Sequence, residues 1–311
     1  MSNQLQEKPR AGDKPAAVFV PQSRRSRLQG SLRRLWKDKV TLISLIVVLL
    51  VVLSAVAAPI VSPQDPTKGN LLNRLKPPAW AEGGNPKYLL GTDQQGRDVL
   101  SRIIWGGRVS LMVGFICVAI SGAFGTLLGL VSGYFGKWVD TFLMRIVDIQ
   151  SSFPGLLIAL MFVMVLGPGK WNLIAALTFN GWMVHARMAR SQVLSMRETT
   201  MVEAARAIGS STTRTLFGHI FPNIISPLIT TYVLEIARII GAEATMSFLG
   251  YGIQPPESSW GLMIGEGRVY MTQAWWLVTF PGVAIALTIL CLNLVGNWVR
   301  TEMDPLHRTR H

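Results

Sequence analysis

Residues 199–222 read TTMVEAARAIGSSTTRTLFGHIFP and form a short polar stretch between two apolar regions. Four of its residues fall near one helical face: Met201, Val202, Ala205 and Ile208. This spacing predicts a short amphipathic helix that ends at Gly209, because glycine accepts the left-handed conformation of a helix cap. A second segment over residues 213–220 is predicted to follow and to be closed by Pro222. Such a stretch suits either a helix on the membrane surface or a contact for another protein.

The composition of the whole chain is that of a membrane protein. Half of the 311 residues are hydrophobic, 15% are charged, and the mean hydropathy is +0.36. A soluble chain of this length would need more surface charge. Six apolar stretches are predicted to span the bilayer: residues 40–61, 109–132, 149–166, 171–184, 224–249 and 277–299. The fourth is the weakest, but without it residues 199–222 would lie on the opposite side of the membrane from the N-terminus.

The net charge of +13 is concentrated at the N-terminus, where ten Lys or Arg and three acids precede the first span. Such a cluster keeps the N-terminus in the cytoplasm. Nucleic-acid binding is not predicted, because no basic and aromatic residues interleave. Residues 55–57 resemble a signal-peptidase site, but the basic region is too long for a signal peptide. We therefore predict a disordered cytoplasmic tail over residues 1–39 and a transmembrane domain over residues 40–311.

Residues 62–108 are predicted to lie outside the membrane, and they lead into the sequence GTDQQGRDVLSRIIWGGRVSL at residues 91–111. The apolar residues of this stretch have helical spacing, which predicts a helix lying on the outer membrane surface. Asp98 and Arg102 are expected to form an i,i+4 ion pair on that helix. Trp275 and Trp276, before the last span, suit an aromatic belt.

Small and charged residues inside the spans make two further predictions. Gly125, Gly129 and Gly133 form a small-residue ridge, which is expected to pack against another helix of this chain. The fifth span carries Glu235, Arg238 and Glu243. Three ionisable groups in an apolar helix must face protein or water. They either line a translocation path, or Glu235 and Arg238 form a structural i,i+3 pair.

Several motifs of this chain resemble, in order, those of dipeptide and oligopeptide ABC-importer permeases. The resemblance covers residues 89–306 and rests on GTDQQGRDVLSR, the EAA stretch at 203–205 with its glycine, FLGYGIQPP, Trp260-Gly261, Phe280-Pro281-Gly282 and Asp304-Pro305. The QPP element is similar to that of the C-type permease subunit. The resemblance implies an all-α protein of the type I importer architecture, with six spans and both termini cytoplasmic, in the bacterial inner membrane.

The same resemblance implies partners and roles. The chain would pair with a B-type permease, two ATPase subunits and an extracytoplasmic peptide-binding protein. Residues 185–222 would form the EAA loop that couples the chain to the ATPase, through Glu203, Ala204, Ala205, Gly209, Phe217, Ile220 and Pro222. ATP would bind to the partner subunits, since this chain has no phosphate-cradling Gly-rich loop with its Lys. No catalytic, cofactor or metal site is expected, because no nucleophile–base pair or ligand cluster is visible.

The expected function is therefore ATP-driven import of short peptides. Two alternatives remain open. Members of the same family could carry nickel chelates or glutathione, since substrate choice lies mostly in the binding protein. A secondary transporter could use Glu235 or Glu243 for coupling, but it would usually show internal repeats, which are not detected here. An intramembrane enzyme lacks a catalytic constellation.

Overall fold

The computed structural model describes residues 33–303, and all of its regular elements are helical. A single isolated bridge between Thr92 and Asp98 is the only β pairing in these described residues. Residues 33–37 form a helical turn in a small separate unit that ends at Lys39. The predicted disorder of residues 1–32 and the Asp304-Pro305 motif lie outside the described residues.

The main helices are numbered here in chain order: α1 Lys39–Val56, α2 Val99–Phe135, α3 Lys137–Ser151, α4 Gly155–Leu166, α5 Lys170–Met196, α6 Thr200–Ala207, α7 Phe221–Phe248, α8 Trp260–Gly267 and α9 Trp276–Met303. Short helical pieces lie at Ala58–Val61, Leu71–Asn73, Thr212–Arg214, Thr215–Ile220 and Arg268–Tyr270. Among residues 33–303, α1, α2, α9 and the continuous run Thr212–Phe248 are long and apolar enough to cross a membrane. A bent pair formed by α3 and α4 makes a fifth candidate.

Helix α2 is longer than the sequence pattern predicts. The predicted surface helix at residues 91–111 is not a separate element, because α2 runs without a break from Val99 to Phe135. Its 37 residues extend about 55 Å, well beyond the roughly 30 Å hydrocarbon core. Asp98 is the N-cap, and its side chain accepts a hydrogen bond from the backbone N–H of Ser101. The expected outer-surface helix is thus the first part of the second span.

The predicted third span, residues 149–166, is not a single helix in the structure. Helix α3 ends at Ser151, α4 begins at Gly155, and the two axes differ by 81°. Pro154 lies in the break, where its fixed φ and missing N–H prevent the α3 hydrogen-bond ladder from continuing. Helix α4 alone is about 18 Å long, too short to cross the hydrocarbon core. Two ion pairs, Asp140–Arg190 and Asp148–Arg187, hold α3 against α5.

The glycine ridge of α2 packs inside the chain, as predicted. Helix α5 runs along α2, and a Cβ built at Gly125, Gly129 or Gly133 would meet α5 atoms at closer than ordinary contact distance. Gly129 faces the carbonyl of Ala186, and Gly133 faces the side chain of Val193. The absence of side chains at these positions allows the two helices to approach closely. Helix α5 also continues past the predicted end of the fourth span, as far as Met196.

The first turn of α7 contains a proline, and no break separates α7 from the helical piece before it. Pro222 occupies the first turn of α7, and the π-helical piece Thr215–Ile220 leads directly into it. The prediction that Pro222 closes the preceding segment is therefore wrong. A proline in a first turn removes only an N–H that has no partner within the helix. The chain is thus helical without a stop from Thr212 to Phe248.

The two tryptophans at the start of α9, Trp275 and Trp276, have different environments. Trp275 is largely exposed, but Trp276 is buried and its Nε1 donates to the carbonyl oxygen of Thr92 at 3.2 Å. Trp276 therefore anchors residues 62–98 on the bundle, and only Trp275 suits an aromatic belt. Trp260 acts similarly, because its Nε1 donates to the carbonyl oxygen of Ile103 at 2.9 Å.

Candidate functional site

The 199–222 segment has the helix and the stop that its sequence predicts. Helix α6 covers Thr200–Ala207, and Gly209 follows it with a φ of +81°. The N–H of Ser210 donates to the carbonyl of Ala205, and the N–H of Gly209 donates to the carbonyl of Arg206. These two bonds are the Schellman arrangement, in which a left-handed residue satisfies the last carbonyls of a helix. The predicted cap is confirmed.

One side of this segment is packed against the bundle. Val202 of α6 is buried in an apolar cluster with residues of α2, α5 and α7, together with Leu216 and Ile220. Ala205 of α6 is also buried. The guanidinium of Arg206 lies 5.0 Å from the centroid of the Tyr134 ring at the end of α2. The segment is therefore a docked element with a defined orientation.

The predicted apolar face of α6 is divided between the bundle and the surface. Val202 and Ala205 face inward, whereas Met201 and Ile208 are exposed. Met201, Val202, Ala205 and Ile208 span about 120° around the axis of α6, at 100° per residue. The part of the helix that packs against the bundle is narrower than this. Ile208 is 87% exposed, although isoleucine is among the residue types most often buried.

The seven predicted coupling residues separate into two groups. Ala205 and Ile220 are buried and can only support the fold of the segment. The exposed group contains Glu203, Ala204, Gly209, Phe217 and Pro222. Another protein can therefore approach Ala204 closely, but it cannot reach Ala205. Ile208, which the helical spacing groups with Val202 and Ala205, is exposed, as is Phe217.

Glu235 and Arg238 of α7 form the predicted i,i+3 pair. The Nε of Arg238 donates to Oε2 of Glu235 at 2.7 Å, and its Nη2 lies 2.7 Å from the same oxygen. Glu235 is buried, whereas the Arg238 side chain is 46% exposed. The pair therefore presents its cationic member to the surface of the bundle.

Glu243 is separate from this pair and fully buried. The hydroxyl of Ser110 on α2 donates to Oε2, and the hydroxyl of Ser247 donates to Oε1, both at 2.7 Å. The Ser247 oxygen in turn accepts from the backbone N–H of Ile253 at 3.1 Å. Glu243 thus joins α7, α2 and the loop after α7 through a chain of hydrogen bonds.

A polar cavity of about 590 Å³ extends along the first half of α7. It lies between α5, α7 and α9, and ends beside Leu234, next to Glu235 in sequence. Amide and hydroxyl side chains contribute much of its lining: Gln192, Asn223, Ser226, Thr230 and Thr231. Arg300 of α9 adds a cation. This cavity has the size of a small-molecule site and lies on the same half of the bundle as the 199–222 segment.

A buried ion network at the opposite end was not predicted. Asp93 accepts from Nε of Arg97 and from Nη1 of Arg102, both at 2.6 Å. Glu266 of α8 accepts from Nη2 of Arg97 at 3.1 Å and from Nη2 of Arg102 at 2.8 Å. The Nε of Arg102 donates to the hydroxyl of Ser258 at 3.2 Å. Two arginines and two acids thus neutralise one another, and three of the four are almost fully buried.

This network corrects the predicted pairing of Asp98 with Arg102. The Asp98 carboxylate accepts from the N–H and hydroxyl of Ser101, while Arg102 points to residues before α2 and beyond α7. The charged residues of the GTDQQGRD motif were the sequence signal that could have indicated a buried ion network. Their partner Glu266 lies more than 160 residues away and has no periodic relation to them.

The fold and the docked 199–222 segment define the membrane-embedded subunit of a transporter. Residues 125–308 match the family model described as binding-protein-dependent transport system inner membrane component. Residues 26–78 match the N-terminal transmembrane domain of oligopeptide transport permease C. The chain belongs to this family of inner-membrane transport permeases.

Curated relatives and solved structures agree with that assignment. The dipeptide transport system permease protein DppC of Haemophilus influenzae is 42% identical over 269 residues, covering 86% of this chain and 91% of that protein. The di/tripeptide transport system permease protein DppC of Pseudomonas aeruginosa is 39% identical over 278 residues, covering 88% and 92%. A structure of the MetNI methionine ABC transporter in an inward-facing conformation matches with a TM-score of 0.55 and 16% identity. That match covers 66% of this chain and 97% of the other, and supports the fold.

Proposed function

We propose that this chain is a permease subunit of an ATP-driven importer of short peptides. The observation that carries the proposal is its near full-length similarity to permeases whose names specify dipeptides and tripeptides. The docked segment with exposed Ile208 and Phe217 supports a contact with an ATPase. The proposed partners are a B-type permease, two ATPase subunits and an extracytoplasmic binding protein. The family description itself specifies dependence on a binding protein.

The proposed topology has six spans with both termini in the bacterial cytoplasm. The bent pair α3–α4 would be the third span and α5 the fourth, so that residues 62–98 lie outside. The 199–222 segment would then lie inside, next to the ATPases. The ten basic residues of residues 1–39 favour this orientation, as a cytoplasmic tail ahead of the transmembrane domain.

Coupling to the ATPase is proposed to use the exposed side of the 199–222 segment. Contiguous exposed apolar side chains on a polar segment mark protein contacts. Ile208 and Phe217 would enter a cleft of the ATPase, Glu203 would add a charge contact, and Ala204 would permit close approach. Ala205 and Ile220 would hold the segment on the bundle.

This assignment is tested by the paired substitution of Ile208 and Phe217 by Ser. We expect the variant chain to insert and remain stable, because both side chains are exposed, but to lose its ATPase subunits during purification. Val269→Ser is the matched control, since Val269 is equally apolar, 76% exposed and near the opposite end. Normal ATPase retention by the double variant would overturn the proposed contact.

The translocation path is proposed to pass the polar cavity and Arg238. The cavity leads along α7 toward the Glu235–Arg238 pair, whose exposed cation can meet a peptide carboxylate. Glu243 is fully buried, so on this proposal it supports the wall rather than meeting the peptide. Glu235→Gln and Arg238→Gln should be compared singly and together. We expect the double variant to assemble normally but to transport charged peptides poorly, whereas recovery of transport would leave only a structural pair.

The substrate class is tested in proteoliposomes that contain the assembled importer. Uptake of a labelled dipeptide should require ATP and the binding protein, and should not follow an imposed proton gradient. Labelled glutathione and chelated nickel serve as the comparison substrates. Uptake of either one without dipeptide uptake would overturn the peptide assignment. Gradient-driven uptake without ATP would indicate a secondary transporter instead.

A further inference from the structure

Two cavities meet on one side of the bundle, near the end that carries residues 62–98. One is a polar cavity of about 860 Å³, lined by residues 59–67, α2, the start of α5 and residues 256–258. The other is an apolar groove of about 450 Å³ between α1, α2, α7 and α9. Arg108 and Met112, one turn apart on α2, line both cavities. The two cavities therefore adjoin, with a polar chamber at one end and an apolar groove at the other.

The groove suits a hydrocarbon chain. Beyond Arg108, valines of α1 and apolar residues of α2, α7 and α9 form nearly all of its lining. Its one hydroxyl, Thr288 Oγ1, donates to the carbonyl oxygen of Ala284 at 2.7 Å and is satisfied within α9. Val56 and Phe115 at its edges are 71% and 67% exposed, so the groove opens outward from the bundle. It lies between helices that are apolar enough to cross a membrane.

The polar chamber offers a cation at the mouth of the groove. The guanidinium of Arg108 lies 5.3 Å from the centroid of the Trp105 ring, and no carboxylate of residues 33–303 lies within ion-pair distance of it. Trp105 Nε1 is buried and has no hydrogen-bond partner within that described range. These two donors lie one turn apart and together suit an oxygen-rich anionic group such as a phosphate.

The chamber also contains acids that balance its cations. Lys170 is paired with Glu257, whereas Asp65 has only a 3.5 Å contact with the 85% exposed side chain of Lys68, so its carboxylate remains accessible in the same chamber as Arg108. Hydrogen bonds from the hydroxyl and N–H of Thr67 lower the pKa of Asp65, so its carboxylate stays ionised at neutral pH. A group that carries both a phosphate and an ammonium matches this lining better than a group with net negative charge.

We propose that the two cavities together bind one phospholipid with a zwitterionic phosphoethanolamine headgroup. Its phosphate contacts Arg108 and Trp105 Nε1, its ammonium group faces Asp65, and one acyl chain occupies the groove. Both volumes lie in the roughly 300–1,000 Å³ range of small-molecule sites. A zwitterionic peptide could bind in the chamber but would leave the apolar groove unused. A second protein could cover the groove but would leave the cation of Arg108 unused.

The first test is native mass spectrometry of the assembled importer after extraction in mild detergent. We expect one phosphatidylethanolamine retained per copy of this chain, and about tenfold weaker retention in Arg108→Gln, which loses a charge-assisted contact. Val52→Trp should also weaken retention by filling the groove. Arg145→Gln is the matched control, because Arg145 is exposed on α3 and lines neither cavity. Equal retention by all variants would overturn the site, and preferential retention of phosphatidylglycerol would overturn the headgroup assignment.

The second test does not depend on the stability of those variants. A photo-crosslinking amino acid at position 112, in the otherwise unchanged importer, should yield a peptide carrying the mass of one phospholipid after irradiation in native membranes. A crosslink to another subunit, or to added dipeptide, would overturn the lipid assignment.

Discussion

Gly209 is the residue whose backbone determines where α6 ends. Its φ is +81°, and a Cβ built there would meet no atom within 4 Å. A substitution is therefore strained by backbone conformation alone, at a cost of about 1–2 kcal/mol for most residues and less for Asn. We expect Gly209→Val to lower uptake and substrate-stimulated ATP hydrolysis, and Gly209→Asn to stay near the wild-type level. Equal activity of the two variants would contradict a role for the left-handed turn.

Arg102 is the residue that joins α2 to the segment before it and to α8. Each of its three guanidinium nitrogens donates to a different partner group: Asp93, Glu266 and Ser258. An ammonium cannot reproduce that fork. We expect both Arg102→Met and Arg102→Lys to lower the unfolding free energy by roughly 3–5 kcal/mol, since each removes the guanidinium fork of Arg102 and leaves Asp93 and Glu266 with Arg97 alone.

Thermal unfolding of the purified chain in detergent measures this effect. Arg74→Lys is the control, because Arg74 is exposed and lies in the same part of the chain. An Arg102→Lys variant as stable as Arg74→Lys would show that the three separate contacts are not needed.

Local pairs were predictable from sequence only where both residues lie inside one helix. Glu235 and Arg238 meet as their spacing predicts. Asp98 and Arg102 have an equally favourable spacing, but Asp98 precedes the first turn of α2 and its Oδ2 caps that helix. The actual partners of Arg102 come from distant parts of the chain, which spacing cannot reveal.

At the scale of helices, the contact between α2 and α5 depends on residues without side chains. We expect Gly129→Ala to destabilise the chain by about 1–3 kcal/mol, because the new methyl group would collide with the Ala186 carbonyl. Gly282→Ala in α9 is the matched control, since a Cβ there meets nothing within 4 Å. Its expected effect is a small gain from higher helix propensity. Unfolding temperatures of the two variants in detergent would decide, and equal values would contradict close packing at Gly129.

Helix positions followed from apolar length, but helix boundaries did not always follow from local signals. The end of α6 was predicted because a left-handed glycine, Gly209, follows it. The α3–α4 bend was missed because the apolar run continues through residues 149–166 while the backbone turns at Pro154. The continuity of α2 was missed because charged residues in its first turns suggested a helix at the membrane surface. In the structure, the charge of Arg102 is neutralised by Asp93 and Glu266 rather than exposed to solvent.

At the scale of the whole molecule, the proposed topology makes a direct prediction. In a background without Cys117 and Cys291, single cysteines at both termini and at position 219 should react only from the cytoplasm. Cysteines at Asn85 and Gln254 should react with an impermeant maleimide added outside. Labelling of position 219 from outside would overturn the importer assignment.

The order of motifs along the chain was enough to predict the family and the all-helical class. Hydropathy alone gave only a weak span over residues 171–184, and the side of the membrane required for residues 199–222 was needed to predict α5. Two of its arginines are paired with acids of α3, Arg187 with Asp148 and Arg190 with Asp140, and its packing along α2 makes it part of the bundle. The proposed contact with an ATPase likewise depends on a partner, and the exposed side chains of Ile208 and Phe217 are the feature of residues 199–222 that suggests it.

The shortness of α4 has a consequence for how the chain enters the bilayer during synthesis. Helix α4 is too short to be retained alone, and α5 is not among the described helices that are apolar enough to cross by themselves. Only three residues, Gly167–Gly169, separate the two helices, and α4 packs on α5. We therefore expect the two helices to leave the insertion machinery together as a hairpin. On this expectation, the middle of the chain stays partly inserted until the ribosome has finished α5.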